Sequence, residues 1–304
     1  MSEAYDVAII GCGPAGLQAG IHAARRKATT IVLGKPEKSA LYHAHLENYF
    51  GLLGPKEGRE VLEIGLEQVK RFGGEHRAED VLKLEMREKH FLIELESGEI
   101  IKSLTLILAM GVSRRKKKIK GEREFLGKGV SYCVDCDGFF FHGLPVAVIG
   151  EESAAAHGAL TLAKITDPVF LIAKELKISP SLASQLRESR VQVISGYPKE
   201  IIGKDEVEGL LLEDGTRLPV KGVFIEEGAK GALQLATTLG VALDPQNMKY
   251  IEVDRSQQTN IPGVYAAGDI CGPPFQVAKA VGEGCRAGLC AAKEAGKRRR
   301  EEAL

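Results

Sequence analysis

The chain has no tryptophan, no net charge and no long apolar run, and each absence narrows what it can be. Its 41 Lys and Arg residues are matched by 41 Asp and Glu residues over 304 positions. A histone-like or generally nucleic-acid-coating protein carries a large positive excess, so no nucleic acid is expected as a partner. No run reaches the roughly 18 consecutive apolar residues that a membrane helix needs, so no membrane partner is expected. The opening Met1-Ser2-Glu3-Ala4-Tyr5-Asp6 lacks a basic n-region, and Tyr5 to Ile10 is too short for a signal-peptide core. With no export signal, most of the six cysteines (Cys12, Cys133, Cys136, Cys271, Cys285 and Cys290) are expected as reduced thiols. The expected location is the cytoplasm. What the chain has in excess is glycine, 35 residues, without low-complexity repeats. That pattern suits many tight turns and close approaches of backbone to backbone or ligand. The length allows about two domains, each able to bury its own core.

The order of elements predicts an α/β fold. Asp6 to Ile10 is a short unbroken apolar run, as in a strand buried on both faces of a parallel sheet. A glycine turn, a helix over Leu17 to Arg26 and a strand over Thr29 to Leu33 complete one βαβ unit. Val61 to Arg71 has helical periodicity, and Phe91 to Leu95 and Ile100 to Ala109 read as strands. A basic run, Arg114 to Lys118, and the glycine-punctuated stretch 121–129 read as a hinge. A second strand, turn and helix starts at Val146, with further strands at Val169 to Ala173 and Val223 to Ile225. The chain crosses back near Leu239-Gly240-Val241, ending in a strand near Val264 and a helix from about Phe275. Two related dinucleotide-type domains are the expectation.

Gly11-x-Gly13-x-x-Gly16 follows a strand and opens a helix, the context a dinucleotide site requires. Gly11 permits the tight turn, Gly13 lets a pyrophosphate approach the backbone, and Gly16 lets helix and strand pack closely. The phosphate charge is met by the free N–H groups of the helix start. The acid usual at the end of the next strand is missing: Gly34 stands there, with Glu37 the nearest substitute. Cys133-Val134-Asp135-Cys136-Asp137 is the second signal. Such spacing suits a redox-active disulfide, and Asp137 is placed to exchange a proton with a leaving thiolate. Half a zinc site, or two buried thiols, are the alternatives. Zinc is disfavoured because no second close cysteine pair and no His–Cys cluster accompany it, and no metal is expected. His43-x-His45 lacks a third ligand, and Cys12, Cys271, Cys285 and Cys290 read as packing residues; whether His43, His45 or Cys271 lies beside a cofactor is open.

Gly11-Cys12-Gly13-Pro14-Ala15-Gly16, the segment Gly129 to Phe140 around the cysteines, and Ile261-Pro262-Gly263-Val264-Tyr265-Ala266-Ala267-Gly268-Asp269 together resemble the low-molecular-weight thioredoxin reductases. Asn48-Tyr49-Phe50-Gly51 and Ala109-Met110-Gly111 are similar to further segments of that family. The resemblance implies two Rossmann-like three-layer domains, the second inserted into the first. An FAD domain would be built from residues 1–112 and 241–304, around a central module of residues 113–240 carrying the cysteine pair. It implies a homodimeric FAD flavoprotein that reduces thioredoxin. Cys136 would face the flavin, Cys133 would attack the thioredoxin disulfide, and Asp137 would be the acid–base residue. FAD would be held by Gly11, Gly13, Pro14, Ala15, Gly16, Asn48, Gly111, Gly268 and Asp269, and by the start of the last helix near Gln276 and Val277.

The central module departs from the family at its own cofactor turn. The NADPH-binding form is G-x-G-x-x-A, whereas this chain has Gly150-Glu151-Glu152-Ser153-Ala154-Ala155. Glu152 takes the place where backbone must touch pyrophosphate, and two carboxylates face the phosphates. The arginine-rich segment that holds the 2′-phosphate is replaced by Ala173-Lys174-Glu175-Leu176-Lys177. In this loss the chain resembles the ferredoxin-dependent flavin thioredoxin reductases. Ferredoxin, a small acidic one-electron carrier, is therefore the expected donor, docking on basic runs such as Arg114 to Lys118 with Lys120, or Lys297 to Arg300. Two alternatives remain: NADPH used through the altered turn, and a flavin-loaded redox sensor without turnover.

Overall fold

The computed structural model describes residues 4–112, 119–226 and 230–302. The chain forms two compact units, Met1–Val112 with Leu235–Leu304, and Ser113–Gln234. In chain order the first part of unit one is β1 (Tyr5–Ile10), α1 (Pro14–Arg25), β2 (Thr30–Leu33), β3 (His45–Leu46), β4 (Lys56–Glu57), α2 (Gly58–Arg71), β5 (Glu75–Arg77), β6 (Val81–Arg87), β7 (His90–Leu95) and β8 (Ile100–Leu108). Unit two contains β9 (Val130–Ser131), α3 (Val134–Asp137), β10 (Val146–Ile149), α4 (Ser153–Leu162), β11 (Val169–Ala173), α5 (Pro180–Glu188), β12 (Gln192–Ser195), β13 (Pro198–Gly203), β14 (Val207–Leu212), β15 (Arg217–Leu218) and β16 (Gly222–Ile225). The chain returns through α6 (Lys230–Thr238) to β17 (Val264–Ala266) and α7 (Val277–Glu302).

Unit one is built on a sheet ordered β5-β2-β1-β8-β7-β6, with β17 also pairing β8. β1 pairs in parallel with β2 and β8, with Ile9 opposite both Val32 and Ile107, and all three residues are fully buried. Burial on both sides explains the unbroken apolar sequence of β1. β17 joins β8 in parallel, and β7 and β6 are added antiparallel. One core cluster joins Val7 and Ile9 of β1, Leu17 and Ala19 of α1, and Ala287 and Ala291 of α7. The carboxyl ends of β1, β8 and β17 therefore lie along one edge.

Unit two carries a parallel sheet ordered β12-β11-β10-β16-β9 and a separate antiparallel sheet β13-β14-β15. The two-residue period of a strand sorts β10 between two cores. Val146 and Val148 pack with Ala156, Ala159 and Leu162 of α4, whereas Ala147 and Ile149 pack with Leu210, Leu212 and Leu218 of the antiparallel sheet. Helices, parallel sheet and antiparallel sheet make three layers. The molecule is thus α/β with two Rossmann-like units, the second inserted into the first, in agreement with the fold class expected from sequence.

The stretch 121–129, read as a hinge, is packed instead. Ile119, Glu122 and Phe125 are buried, and the Ile201 N–H donates to the Lys120 carbonyl at 2.9 Å. The basic run Arg114 to Lys118 lies outside the described residues.

Candidate functional site

Residues singled out over the whole sequence meet at the carboxyl edge of the unit-one sheet. Gly11 leaves β1 with φ +115°, and a Cβ there would overlap the Ala109 carbonyl oxygen at the end of β8. Gly13 is the N-cap of α1 and supplies no side-chain cap, and Pro14 occupies the first turn. Because Gly13 has no side chain to cap the helix, the Ala15 and Gly16 N–H groups are left uncapped, which fits a pyrophosphate. Gly268, at the end of β17, packs so close to Ala15 that a Cβ on it would meet the Ala15 methyl. Gly111 turns away just past β8 with φ +70° and open space around it. Asn48 Nδ2 donates to Gln276 Oε1 at 3.1 Å, immediately before Val277 opens α7. Asp269 starts a short 3-10 turn, Asp269–Cys271. A cradle of glycines, free N–H groups and amides fits FAD.

Two residues of this edge were not anticipated. Lys279 Nζ donates to the carbonyls of Gly268 (2.8 Å) and Gly272 (2.7 Å), while Glu283 accepts from the Gly268 N–H at 2.8 Å. The two side chains pair at 3.0 Å across one turn of α7 and clamp the 268–272 loop. Their spacing of four in a helix is the only local sign of them. In the region of the missing ribose acid, Glu37 is exposed, and Lys35 is engaged by Glu96 and Asp80 at 2.6 and 3.3 Å.

In unit two Cys133 and Cys136 are joined as a disulfide with Cα atoms 5.3 Å apart. Cys133 is the N-cap of α3, and its Sγ accepts the Cys136 N–H at 3.0 Å. An N–H aimed at sulfur favours a thiolate there after reduction. Asp137 Oδ2 accepts from the Ser131 hydroxyl at 2.6 Å, while Ser131 Oγ accepts the Cys133 N–H at 3.0 Å. Ser131, which sequence reasoning missed, thus ties the Asp137 carboxylate to the backbone of Cys133. Phe139 and Phe140, just beyond, are 77% and 76% exposed, an apolar flank beside the pair.

The second glycine turn is closed by its own chain. Gly150 has φ +157°, and Glu152 is the N-cap of α4 without a side-chain cap. The Lys177 N–H donates to the Glu151 carbonyl at 2.7 Å, and Lys177 Nζ pairs with the Glu151 carboxylate at 3.3 Å. Lys174 Nζ sits 5.6 Å from the centre of the Tyr197 ring. Both lysines that stand where arginines were expected have partners within the unit. Behind the turn, Glu226 follows β16 and is 5% exposed, and burial pushes its carboxyl up to about 7.

The remaining candidates are placed as follows. His43 packs edge-on against Tyr42, and His45 Nδ1 pairs with Glu57 at 3.0 Å. Among the described residues no group of His, Cys, Asp and Glu could hold a metal ion. Cys12 and Cys271 are pushed up to about 12, chiefly by burial and then by Glu37 and Glu283 respectively, so they stay thiols. Three of the four basic residues of Lys297 to Arg300 are engaged internally. Lys297 pairs with Glu301, Arg298 with Glu294 and the Leu104 carbonyl, and Arg299 with Asp6. No helix among the described residues is long and apolar enough to cross a membrane.

Residues 5–284 match the family model of the pyridine nucleotide-disulphide oxidoreductases. A thioredoxin reductase of Aquifex aeolicus is 35% identical over 303 residues, spanning 96% of this chain and 93% of that protein. An atypical thioredoxin reductase from Desulfovibrio vulgaris Hildenborough has a crystal structure that superimposes with a TM-score of 0.87 at 37% identity, covering 96% of this chain and 98% of that one. The crystal structure of a ferredoxin-flavin thioredoxin reductase from Clostridium acetobutylicum superimposes with a TM-score of 0.72 at 32% identity, with coverage of 96% and 98%.

Proposed function

Because this chain belongs to the pyridine nucleotide-disulphide oxidoreductase family, we propose that it is a flavin-dependent thioredoxin-disulfide reductase whose donor is ferredoxin rather than NADPH. The observation that carries the reading is the Cys133–Cys136 disulfide with Asp137 held beside it. FAD is the cofactor, and when bound it supplies the electron pair that opens this disulfide. Gly11, Gly13, Pro14, Ala15, Gly16, Asn48, Gly111, Gly268, Asp269, Gln276 and Val277 would hold it. Cys133, its sulfur favoured as thiolate by the Cys136 N–H, attacks the thioredoxin disulfide. The thioredoxin S–S bond breaks, a mixed disulfide forms, and Asp137 gives a proton to the departing sulfur. Cys136 then displaces reduced thioredoxin and restores the Cys133–Cys136 bond. The exposed Phe139 and Phe140 give the partner an apolar surface to meet.

Three observations support a donor other than NADPH. Glu151 and Glu152 stand where phosphates would bind, and a like-charge contact at ~4 Å costs about 1 kcal/mol in water and about 4 at an effective dielectric near 20. Lys177 is already paired with Glu151, and Lys174 lies against Tyr197. The similar Clostridium acetobutylicum structure is named for a ferredoxin donor. Arg114 to Lys118 is the basic run left to meet an acidic carrier, since most of Lys297 to Arg300 is paired internally. A homodimer in the cytoplasm completes the reading.

The test is anaerobic reduction of the FAD-loaded protein by NADPH, NADH and reduced ferredoxin, side by side. Ferredoxin should bleach the flavin and drive thioredoxin reduction. Steady-state bleaching by micromolar NADPH would overturn the donor assignment. Failure of the photoreduced protein to reduce thioredoxin would overturn the reductase assignment. Cys133→Ser and Cys136→Ser should each abolish thioredoxin reduction and leave FAD bound.

A further inference from the structure

Glu226 is a buried carboxyl that the reaction just described does not use. It lies directly after β16, its N–H donating to the Ile149 carbonyl at 2.9 Å. Its Oε1 accepts the Val134 N–H at 3.4 Å. In the amide orientation that satisfies both acceptors, Gln234 of α6 donates to Glu226 Oε2 at 3.3 Å and to the Tyr132 carbonyl at 2.6 Å. The residues immediately before and after Cys133 are therefore both fastened to one carboxyl–amide pair. On the other side, Gly158 of α4 lies close: a Cβ there would sit 3.7 Å from Glu226 Cγ.

We propose that Glu226 is a positioning residue of the redox pair, which fixes the backbone around Cys133 and exchanges a proton as the charge on that sulfur changes. This rests on the reading of Cys133 and Cys136 as the working disulfide. Reduction of the disulfide by two electrons and one proton breaks the S–S bond and leaves one thiol and one thiolate. A charged Glu226 beside the segment opposes the thiolate, so the carboxyl takes up a proton as the thiolate forms and releases it as Cys133 becomes bonded again. The titratable residues of the neighbouring α3, of the turn after β10 and of α4 are Asp135 and Asp137, Glu151 and Glu152, and His157, and Gln234 of α6 is neutral. Asp135 is the one whose charge favours the neutral form of Glu226.

The experiment is alkylation of the dithiol form of the FAD-loaded protein by iodoacetamide from pH 5.5 to 9, with Cys133 read by mass spectrometry. It needs neither thioredoxin nor an electron carrier, so its failure is separate from failure of the donor or substrate assignment. Glu226→Gln should match the native rate at the acid end. It should exceed that rate by up to about tenfold near pH 8, where native Glu226 is ionised and the thiol is not yet fully so, because below a thiol's pKa a shift of one unit changes the thiolate fraction tenfold. A purely structural role would change the rate by the same factor at every pH, and a flat ratio overturns the proposal. Gln234→Leu keeps the test decisive should the first variant not fold. Loss of the amide donor should move the native inflection to higher pH, and an unmoved inflection overturns the proposal equally.

Discussion

Gly11 turns at φ +115° against the carbonyl of Ala109, so an alanine there meets both backbone strain and a clash with main chain that cannot step aside. Gly11→Ala should cost about 2–4 kcal/mol and lower the flavin content of the purified protein, read from the ratio of flavin to protein absorbance. Glu226 sets a pH dependence of the opposite sign to most acids. Its carboxyl is raised from 4.5 to about 7 on folding, so the folded state binds the extra proton. The associated stability is present below pH 4.5 and is lost as pH rises through 7, up to about 3 kcal/mol. Glu226→Gln should therefore be the more stable protein at pH 8 in guanidinium titrations, with the gap closing toward pH 5. A gap independent of pH would contradict the assignment. The Cys133–Cys136 disulfide was legible in sequence because the pairing of two cysteines three positions apart is local. Glu226 was not: it reads as the polar end of a strand, and its role depends on a helix start 92 positions earlier.

The crossing of α1 and α7 is made by absent side chains. A Cβ on Gly284 would overlap the Ala15 carbonyl, and one on Gly288 the Ala19 carbonyl. The two backbones touch, which seats the start of α7 near the glycine turn of α1. Gly288→Ala should lower stability by roughly 1–3 kcal/mol, since packed main chains cannot make room for a methyl. Gly296→Ala, where nothing lies within 4 Å, should be neutral or add about 0.5–1 kcal/mol by removing backbone freedom from the unfolded chain. Thermal melts of the two variants side by side separate these outcomes. The buried strands β10 and β11 were legible as unbroken apolar runs, and β1 and β8 as strands ending in one. The antiparallel strands β13 to β15 were passed over, being short and in part exposed. α5 carried a readable signal in Ser179-Pro180, whose hydroxyl caps the Leu182 N–H at 3.3 Å.

At the scale of the molecule, equal numbers of acids and bases say little, because their placement decides their partners. The run Lys297 to Arg300 is largely consumed inside unit one, and the lysines after β11 inside unit two. If Arg114 to Lys118 receives the carrier, replacing these five residues with alanine should slow flavin reduction by ferredoxin about tenfold at low salt. The deficit should shrink as salt screens the attraction, while thioredoxin reduction by the photoreduced protein is unchanged. Stopped-flow traces at two ionic strengths decide it, and an equal loss at both would refute the docking role.

The amino-acid sequence by itself determined the α/β class, the two glycine turns and the close pairing of Cys133 with Cys136. Each depends on residues close together along the chain: a strand's apolar run, a turn's missing Cβ, two sulfurs three positions apart. Only the tertiary structure decided which distant groups meet, such as Asn48 with Gln276 across 228 positions, and Glu226 and Gln234 with the residues on either side of Cys133. It also decided that Lys174 and Lys177 are already engaged. Pairings of that kind are set by the stacking of sheets and helices, which joins residues that no local pattern connects.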